Sequence, residues 1–327
     1  MKIKNKLLKA FILLLFIIPI NIFAYSNEVI PGGETIGIEV NSKGVLVVGF
    51  YKVNNSYIGR LAGFEIGDKI IKVDNNEVDD ISSMVDVINK LDTNTVDFTI
   101  LRGDKELKIP LELKKDTDNI LKTGLYVKDS ITGIGTLTYI DSNSKVFGAL
   151  GHEIIEKTTN EKLDIKNGII FGASVVGIDK SGDGKAGEKN ARYDKTEIFG
   201  NVKENQISGI YGTYTSQLDN NNKVKVAKVD EIKKGKAMIK TVIENNKVED
   251  FEINITDIDY NSDTKNLLFE IKDQRLLSKT GGIIQGMSGS PILQDDKIIG
   301  AVTHVIVNDP TKGYGIFITT MLKEGDS

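Results

Sequence analysis

The sequence predicts a mainly β protein in which a leader is followed by a small α+β module and a larger all-β domain, closed as two packed barrels or a sandwich. Three observations carry that expectation. Short runs of alternating apolar and polar residues recur from Ile36 to Ile271, bounded by turns of Gly, Asn and Asp. In the first third, one stretch has helical spacing, with Ile81, Met84, Ile88 and Leu91 on one face. From Asp116 onward, no helical run of length precedes Met321. The expected division is residues 1–25 as leader, 26–33 as linker, 34–115 as the small module and 116–327 as the large domain.

Composition narrows the function classes. The chain has 42 Lys+Arg against 46 Asp+Glu, a net charge of -4, and no basic block, so a nucleic-acid footprint is excluded. With no cysteine, disulfides, thiol catalysis and Cys-based zinc sites are excluded too. Two histidines, His152 and His304, are too few for a His-rich metal site, and neither metal nor cofactor is expected. An imidazole base, if there is one, is one of those two.

The leader comes first. Lys2, Lys4, Lys6 and Lys9 precede an apolar run from Ala10 to Tyr25, interrupted by Pro19 and Asn21. That is the order of an export signal, and the run is shorter than the about 20 residues of a full membrane span. Ala24 suits cleavage and Ile22 does not, so a cleaved signal and a retained membrane anchor both stand. Either way the remainder is expected to be translocated.

After Pro31-Gly32-Gly33 come strands at Ile36 to Val40 and Val45 to Phe50. Next is the run Gly63-Phe64-Glu65-Ile66-Gly67-Asp68-Lys69-Ile70-Ile71-Lys72-Val73-Asp74, with a turn at Asn75-Asn76. Asp80 is the expected N-cap of the helix, and Val96 to Leu101 and Leu107 to Leu113 form a hairpin around Gly103-Asp104. This order resembles a PDZ domain of the type found in bacterial proteases. The resemblance implies a loop of backbone N–H groups that captures a peptide carboxylate while the peptide adds a strand. That loop would contain Gly33, Ile36, Gly37 and Ile38. Glu34 beside them disfavours a carboxylate, so an internal or intramolecular strand is a further candidate ligand.

In the large domain, strands are expected at Val127 to Ser130, Gly133 to Tyr139, Val146 to Ala149, Ile169 to Val176 and Gly209 to Thr215. More follow at Lys223 to Ala227, Lys236 to Val242, Phe251 to Ile255 and Leu267 to Ile271. Asp179 to Gly184 imitates the start of a calcium loop, but Asn190 stands where a bidentate Glu is needed, so a hairpin tip is expected there.

Chemistry concentrates in Gly286-Met287-Ser288-Gly289-Ser290-Pro291. Glycines on both sides let the backbone approach a carbonyl and aim successive N–H groups at it, so Ser288 reads as a nucleophile and the N–H groups of Gly286 and Ser288 as an oxyanion site. His152 ends an apolar strand among small residues and precedes the serine. A histidine, then an acid, then a serine is one of the few chain orders of serine triads. Asp273, fifteen residues before Ser288, closes a strand and is the preferred acid; Asp164, Asp194 and Asp257 compete as turn acids. Aligned with a chymotrypsin-like domain, Thr303 supports the acid and His304 lines the substrate pocket.

With the leader, the PDZ-like module, Gly151-His152-Glu153 and Gly286 to Pro291 in this order, the chain resembles the stage IV sporulation protein B serine peptidases. Ile131-Thr132-Gly133-Ile134-Gly135-Thr136 and Val307 to Gly315 add to the likeness. The resemblance implies the triad Ser288, His152 and Asp273 and a chymotrypsin-like double barrel. It also implies export from the forespore into the space between the two spore membranes. There the protein would cut itself and a membrane-bound inhibitor, with a membrane-protein complex as its partner, and so release a protease that activates a late sigma factor. The alternative is a PDZ-type binding scaffold with an inactive peptidase-like domain.

Overall fold

The computed structural model of the chain describes residues 25–182 and 184–326. The expected leader thus lies, but for Tyr25, outside the described residues. The first strands are β1 (Glu28–Pro31) and β2 (Thr35–Phe50). β2 is one strand where two were expected: Ser42 Oγ donates to the Gly44 carbonyl across an irregularity between Asn41 and Leu46, and pairing resumes beyond it.

The PDZ module is built from the second half of β2, α1 (Ile58–Ala62), β3 (Lys69–Val73), α2 (Ile81–Asn89), β4 (Thr95–Arg102) and β5 (Lys105–Glu112). Asp80 caps α2, accepting from the Ser83 N–H at 2.7 Å, while the Ser83 side chain returns the bond to the cap. Met84 and Ile88 then face a core with Val45, Val47, Phe98 and Ile100. Gly63 and Gly67, at φ 103° and 98°, shape the turn that buries Asp68 completely. Arg102 compensates that carboxylate through Nε at 2.7 Å and Nη2 at 2.8 Å, a forked pair that ties the turn to β4.

The chain then enters the large domain through β6 (Leu125–Ile140), β7 (Val146–Ala149), β8 (Ile165–Asp179), β9 (Gly187–Gln206) and β10 (Gly209–Tyr214). With β2 these strands pair in the ring β2-β6-β7-β10-β9-β8-β2, a closed antiparallel barrel of six strands. Ile36, Ile38, Val40, Leu137, Phe147 and Ile170 fill it. A second six-stranded ring follows from β11 (Gly235–Val242), β12 (Val248–Ile258), β13 (Leu267–Ile271), β14 (Pro291–Gln294), β15 (Lys297–Val305) and β16 (Lys312–Phe317). Its order is β11-β12-β13-β16-β15-β14-β11, packed around Phe251, Phe269, Met287 and Ile292. The short helix Gln274–Thr280 and the terminal helix Ile318–Gly325 complete the domain. The double barrel is therefore present, between closed rings rather than open sheets.

The sheet does not divide where the sequence does. Residues 35–41 of β2 lie between β6 and β8 and belong to the first barrel, so the PDZ module is an insertion between two adjacent barrel strands. This also corrects the expected peptide loop. Ile36, Gly37 and Ile38 are paired on both edges, and the Gly33 N–H donates to the Leu137 carbonyl at 2.9 Å, so none of these groups is available to an added strand. In the PDZ module, the strand lying between β2 and α2 is instead Leu125–Ser130 of β6; its Asp129 accepts from the Ile81 N–H at the start of α2.

Candidate active site

Ser288 lies in the bend that links the short strand Ile284–Gln285 to β14. Gly286 and Gly289 flank it at φ 91° and 92°, values that exclude most side chains. The bend is closed by the Met287 N–H donating to Ile284 and the Ser290 N–H donating to Met287. Met287 itself is fully buried in the second barrel, so an apolar anchor holds the loop from below. From the first barrel, β6 grips the same loop. The Thr136 N–H donates to the Ser288 carbonyl at 2.9 Å, Thr136 Oγ1 to the Gly286 carbonyl at 2.7 Å and Thr138 Oγ1 to the Gly289 carbonyl at 2.8 Å. The Ser288 N–H donates to no backbone carbonyl among the described residues, which leaves it available to a ligand. Gly286, the other expected donor, stands at the end of the parallel pairing with β9.

His152 follows β7 after two left-handed residues, Leu150 at φ 72° and Gly151 at φ 71°. Leu150 in that conformation is strained, and the surrounding contacts impose it. A Cβ on Gly151 would stand 2.9 Å from Thr303 Cγ2, and one on Gly289 would stand 2.5 Å from the Leu150 nitrogen. The histidine turn and the serine bend are thus interlocked across the barrel interface. His152 Nδ1 is 2.8 Å from the Glu153 carbonyl oxygen, which assigns the proton to Nδ1 and leaves Nε2 as a lone-pair acceptor. The His304 ring lies 5.5 Å away, so both histidines of the chain meet here.

Burial holds the His152 imidazole below its ordinary value, opposed by the Glu153 carbonyl and carboxylate. His304 is lowered too, by desolvation first and then by the charges of His152 and Lys265, although solvent still reaches its ring. A base must be neutral to act, and a depressed pKa keeps His152 neutral further into acid. The acid limb of the rate against pH is therefore expected to have its midpoint below 6.5, measured as the pH dependence of acylation of Ser288. A midpoint above that value would contradict the assignment.

Two expectations are corrected. Thr303 stands beside the serine, its carbonyl accepting from Ser288 Oγ at 3.0 Å, but its Oγ1 donates to the Tyr314 carbonyl rather than supporting an acid. Asp273 is not within reach of His152. It caps the helix Gln274–Thr280, and its carboxylate is taken by the Arg275 backbone and by Arg275 Nε and Nη2 at 3.1 and 2.7 Å. The Arg275 hydrogen bond, more than any other influence, holds its pKa below the carboxylate norm. In register, Leu268 and His304 both face Tyr314, so Asp273 stands five residues further along, about 16 Å at about 3.3 Å per residue. The competing acids are no closer to the role: Asp164 pairs with Lys43 and Lys69, Asp257 with Lys234, and Asp194 with Thr196.

Thr136 and Thr138, which hold the bend, carried no chemical signal in the sequence beyond Thr136 closing an Ile-Thr-Gly-Ile-Gly-Thr stretch. A family model for SpoIVB peptidase S55 matches residues 119–322, well over half of the chain. A PDZ-domain model matches residues 35–113. No curated protein matches the chain.

Proposed function

The chain belongs to the SpoIVB peptidase S55 family, and from that premise we propose that it is a serine endopeptidase acting through Ser288 and His152. The observation that carries the reading is the interlock of two segments: the glycine-flanked bend of Ser288, whose N–H donates to no backbone carbonyl among the described residues, and the turn that presents His152, whose Nδ1 proton leaves Nε2 as the acceptor. Rotation about the Ser288 Cα–Cβ bond exchanges the Thr303 carbonyl for His152 Nε2. The nitrogen takes the hydroxyl proton as Oγ bonds to the substrate carbonyl carbon, and the carbonyl oxygen becomes an oxyanion facing the Ser288 and Gly286 N–H groups. The imidazolium then protonates the leaving amine as the C–N bond breaks. Water, deprotonated by the same nitrogen, releases the acyl group. In this arrangement the Glu153 carbonyl, rather than Asp273, orients the ring.

Two observations favour the scaffold reading: the Ser288 proton rests on a carbonyl, and among the described residues no carboxylate hydrogen-bonds His152. A fluorophosphonate label decides between them. A peptidase is labelled at Ser288, with the label lost on His152→Ala. An unlabelled native protein would leave a PDZ-type scaffold with an inactive domain.

The substrates inferred are the chain itself and a membrane-bound inhibitor, cut after export into the space between the spore membranes. Cleavage of the inhibitor would release the protease that activates a late sigma factor. The basic and apolar order of residues 1–25 supports export, with that segment cleaved or kept as an anchor. Met287 is buried and apolar where chymotrypsin-like enzymes keep an aspartate for a freed N-terminus, so restraint has to come from elsewhere. The PDZ module is inferred to supply it; the course of β6, from Leu125 beside α2 to Thr136 and Thr138 under the bend, supports this. Asn41 and Ser130 are register partners, so joining them by a short turn excises the module without breaking the barrel. The excised protein is expected to change its rate of self-cleavage; an unchanged rate on self and on target would remove the idea.

A further inference from the structure

A second group beneath the bend is unexplained by the chemistry above. Lys189, on β9, is 1% exposed, and its ammonium meets no carboxylate among the described residues. Nζ donates instead to Thr35 Oγ1 at 3.1 Å and to Thr241 Oγ1 at 3.0 Å. Thr35 belongs to the first barrel and Thr241 to the second, so one side chain spans their interface. Its stem is also the floor of the serine bend. A Cβ on Gly286 would stand 3.1 Å from Lys189 Cδ and 3.3 Å from its Cβ.

An amine buried without an ion partner opposes folding, and an apolar residue of equal volume is often as stable or more so. Stability alone therefore does not account for a lysine here. Both barrels contribute to the site, and their relative position decides whether the Ser288 and Gly286 N–H groups point at one oxygen. We propose, on the peptidase reading above, that Lys189 is a positioning residue: its ammonium locks Thr35 to Thr241 while its stem sets the Gly286 turn, and its positive charge favours the oxyanion. Burial brings its pKa down to about 7, with no charge neighbour contributing. The charged groups next in sequence or register to these residues are Glu34 before Thr35, Lys240 before Thr241, Glu188 before Lys189, and Asp179 opposite Glu188 on β8. Desolvation raises the pKa of Glu34, although solvent still reaches the residue, and this weakens it as a counter-charge.

Below about pH 7 the ammonium is present; as pH rises through that value the charge that favours the oxyanion is lost, and the bonds to the two threonines become neutral and weaker. The native enzyme should therefore show a bell, rising with His152 deprotonation and falling as Lys189 loses its proton. The test is the rate of fluorophosphonate labelling of Ser288 against pH and reagent concentration in native, Lys189→Met and Thr241→Val proteins. Expected for Lys189→Met is a maximal rate lowered about tenfold or more with half-saturation within about twofold, and an alkaline limb that has vanished. Thr241→Val, which keeps the lysine and removes one acceptor, should lower the maximal rate less and move the alkaline limb to lower pH. Unchanged rates and limbs in Thr241→Val and in a folded Lys189→Met overturn the proposal. Absence of labelling in the native protein would instead overturn the peptidase reading on which it rests.

Discussion

Ser288→Ala is expected to lower peptide-bond cleavage by roughly three or more powers of ten while leaving the protein folded. The activity loss follows from removing the only atom that bonds to the substrate carbonyl. His152 and the bend's N–H groups would remain, and a residual rate from binding and oxyanion stabilisation alone is all they can sustain. The small stability change has a separate cause. Ser288 Oγ makes one hydrogen bond, to the Thr303 carbonyl, and such a bond contributes about 1 kcal/mol. Fragment accumulation in a self-cleavage assay and a melting curve would measure both. If the variant produced the native fragments at the native rate, Ser288 would not be the nucleophile.

Gly289→Ala should be nearly as damaging, by a different route. The φ of 92° already costs an L-residue on the order of 1–3 kcal/mol. The added Cβ would also stand 2.1 Å from the Thr136 carbonyl oxygen and 2.5 Å from the Leu150 nitrogen. Both neighbours are backbone, one on β6 and one in the turn that presents His152, so neither can swing aside. Relief requires the two barrels to separate at the site, which moves serine from histidine. We expect a lower melting temperature and loss of fluorophosphonate labelling together. Gly133→Ala is the control, since nothing lies within 4 Å of its Cβ direction and its φ is not left-handed; it should stay within about 0.5 kcal/mol of the native protein. Equal effects at the two glycines would show that the interlock is not what holds the site.

Part of the fold is legible in the sequence. The PDZ core, from the Asp80 cap to the hairpin at Gly103-Asp104, follows local rules, so its elements appear where periodicity and turn residues put them. Leu267–Ile271 likewise alternates on a half-buried surface and is a strand with the expected limits. β9 was not visible. Its middle, from Ala191 to Glu197, is largely solvent-exposed, so no apolar period marks it, although it pairs along most of β8. The helix Gln274–Thr280 is too short to show a period, so in the sequence Asp273 looks like a strand end, whereas it is that helix's cap.

The sequence by itself determined the class of the protein and the presence of a PDZ module, and it nominated Ser288 and His152, because glycine spacing, a single upstream histidine and strand alternation are local or one-dimensional signals. Tertiary structure alone decided the rest. That β2 serves both the PDZ module and the first barrel, that Thr136 and Thr138 grip the serine bend, and that Lys189 lies beneath it with no carboxylate partner among the described residues all depend on contacts between residues more than one hundred positions apart or on how two closed sheets meet. The same reason excluded Asp273: a fifteen-residue spacing permits contact, but the register of β13 against β16 carries the carboxylate away from the imidazole and into the fork of Arg275.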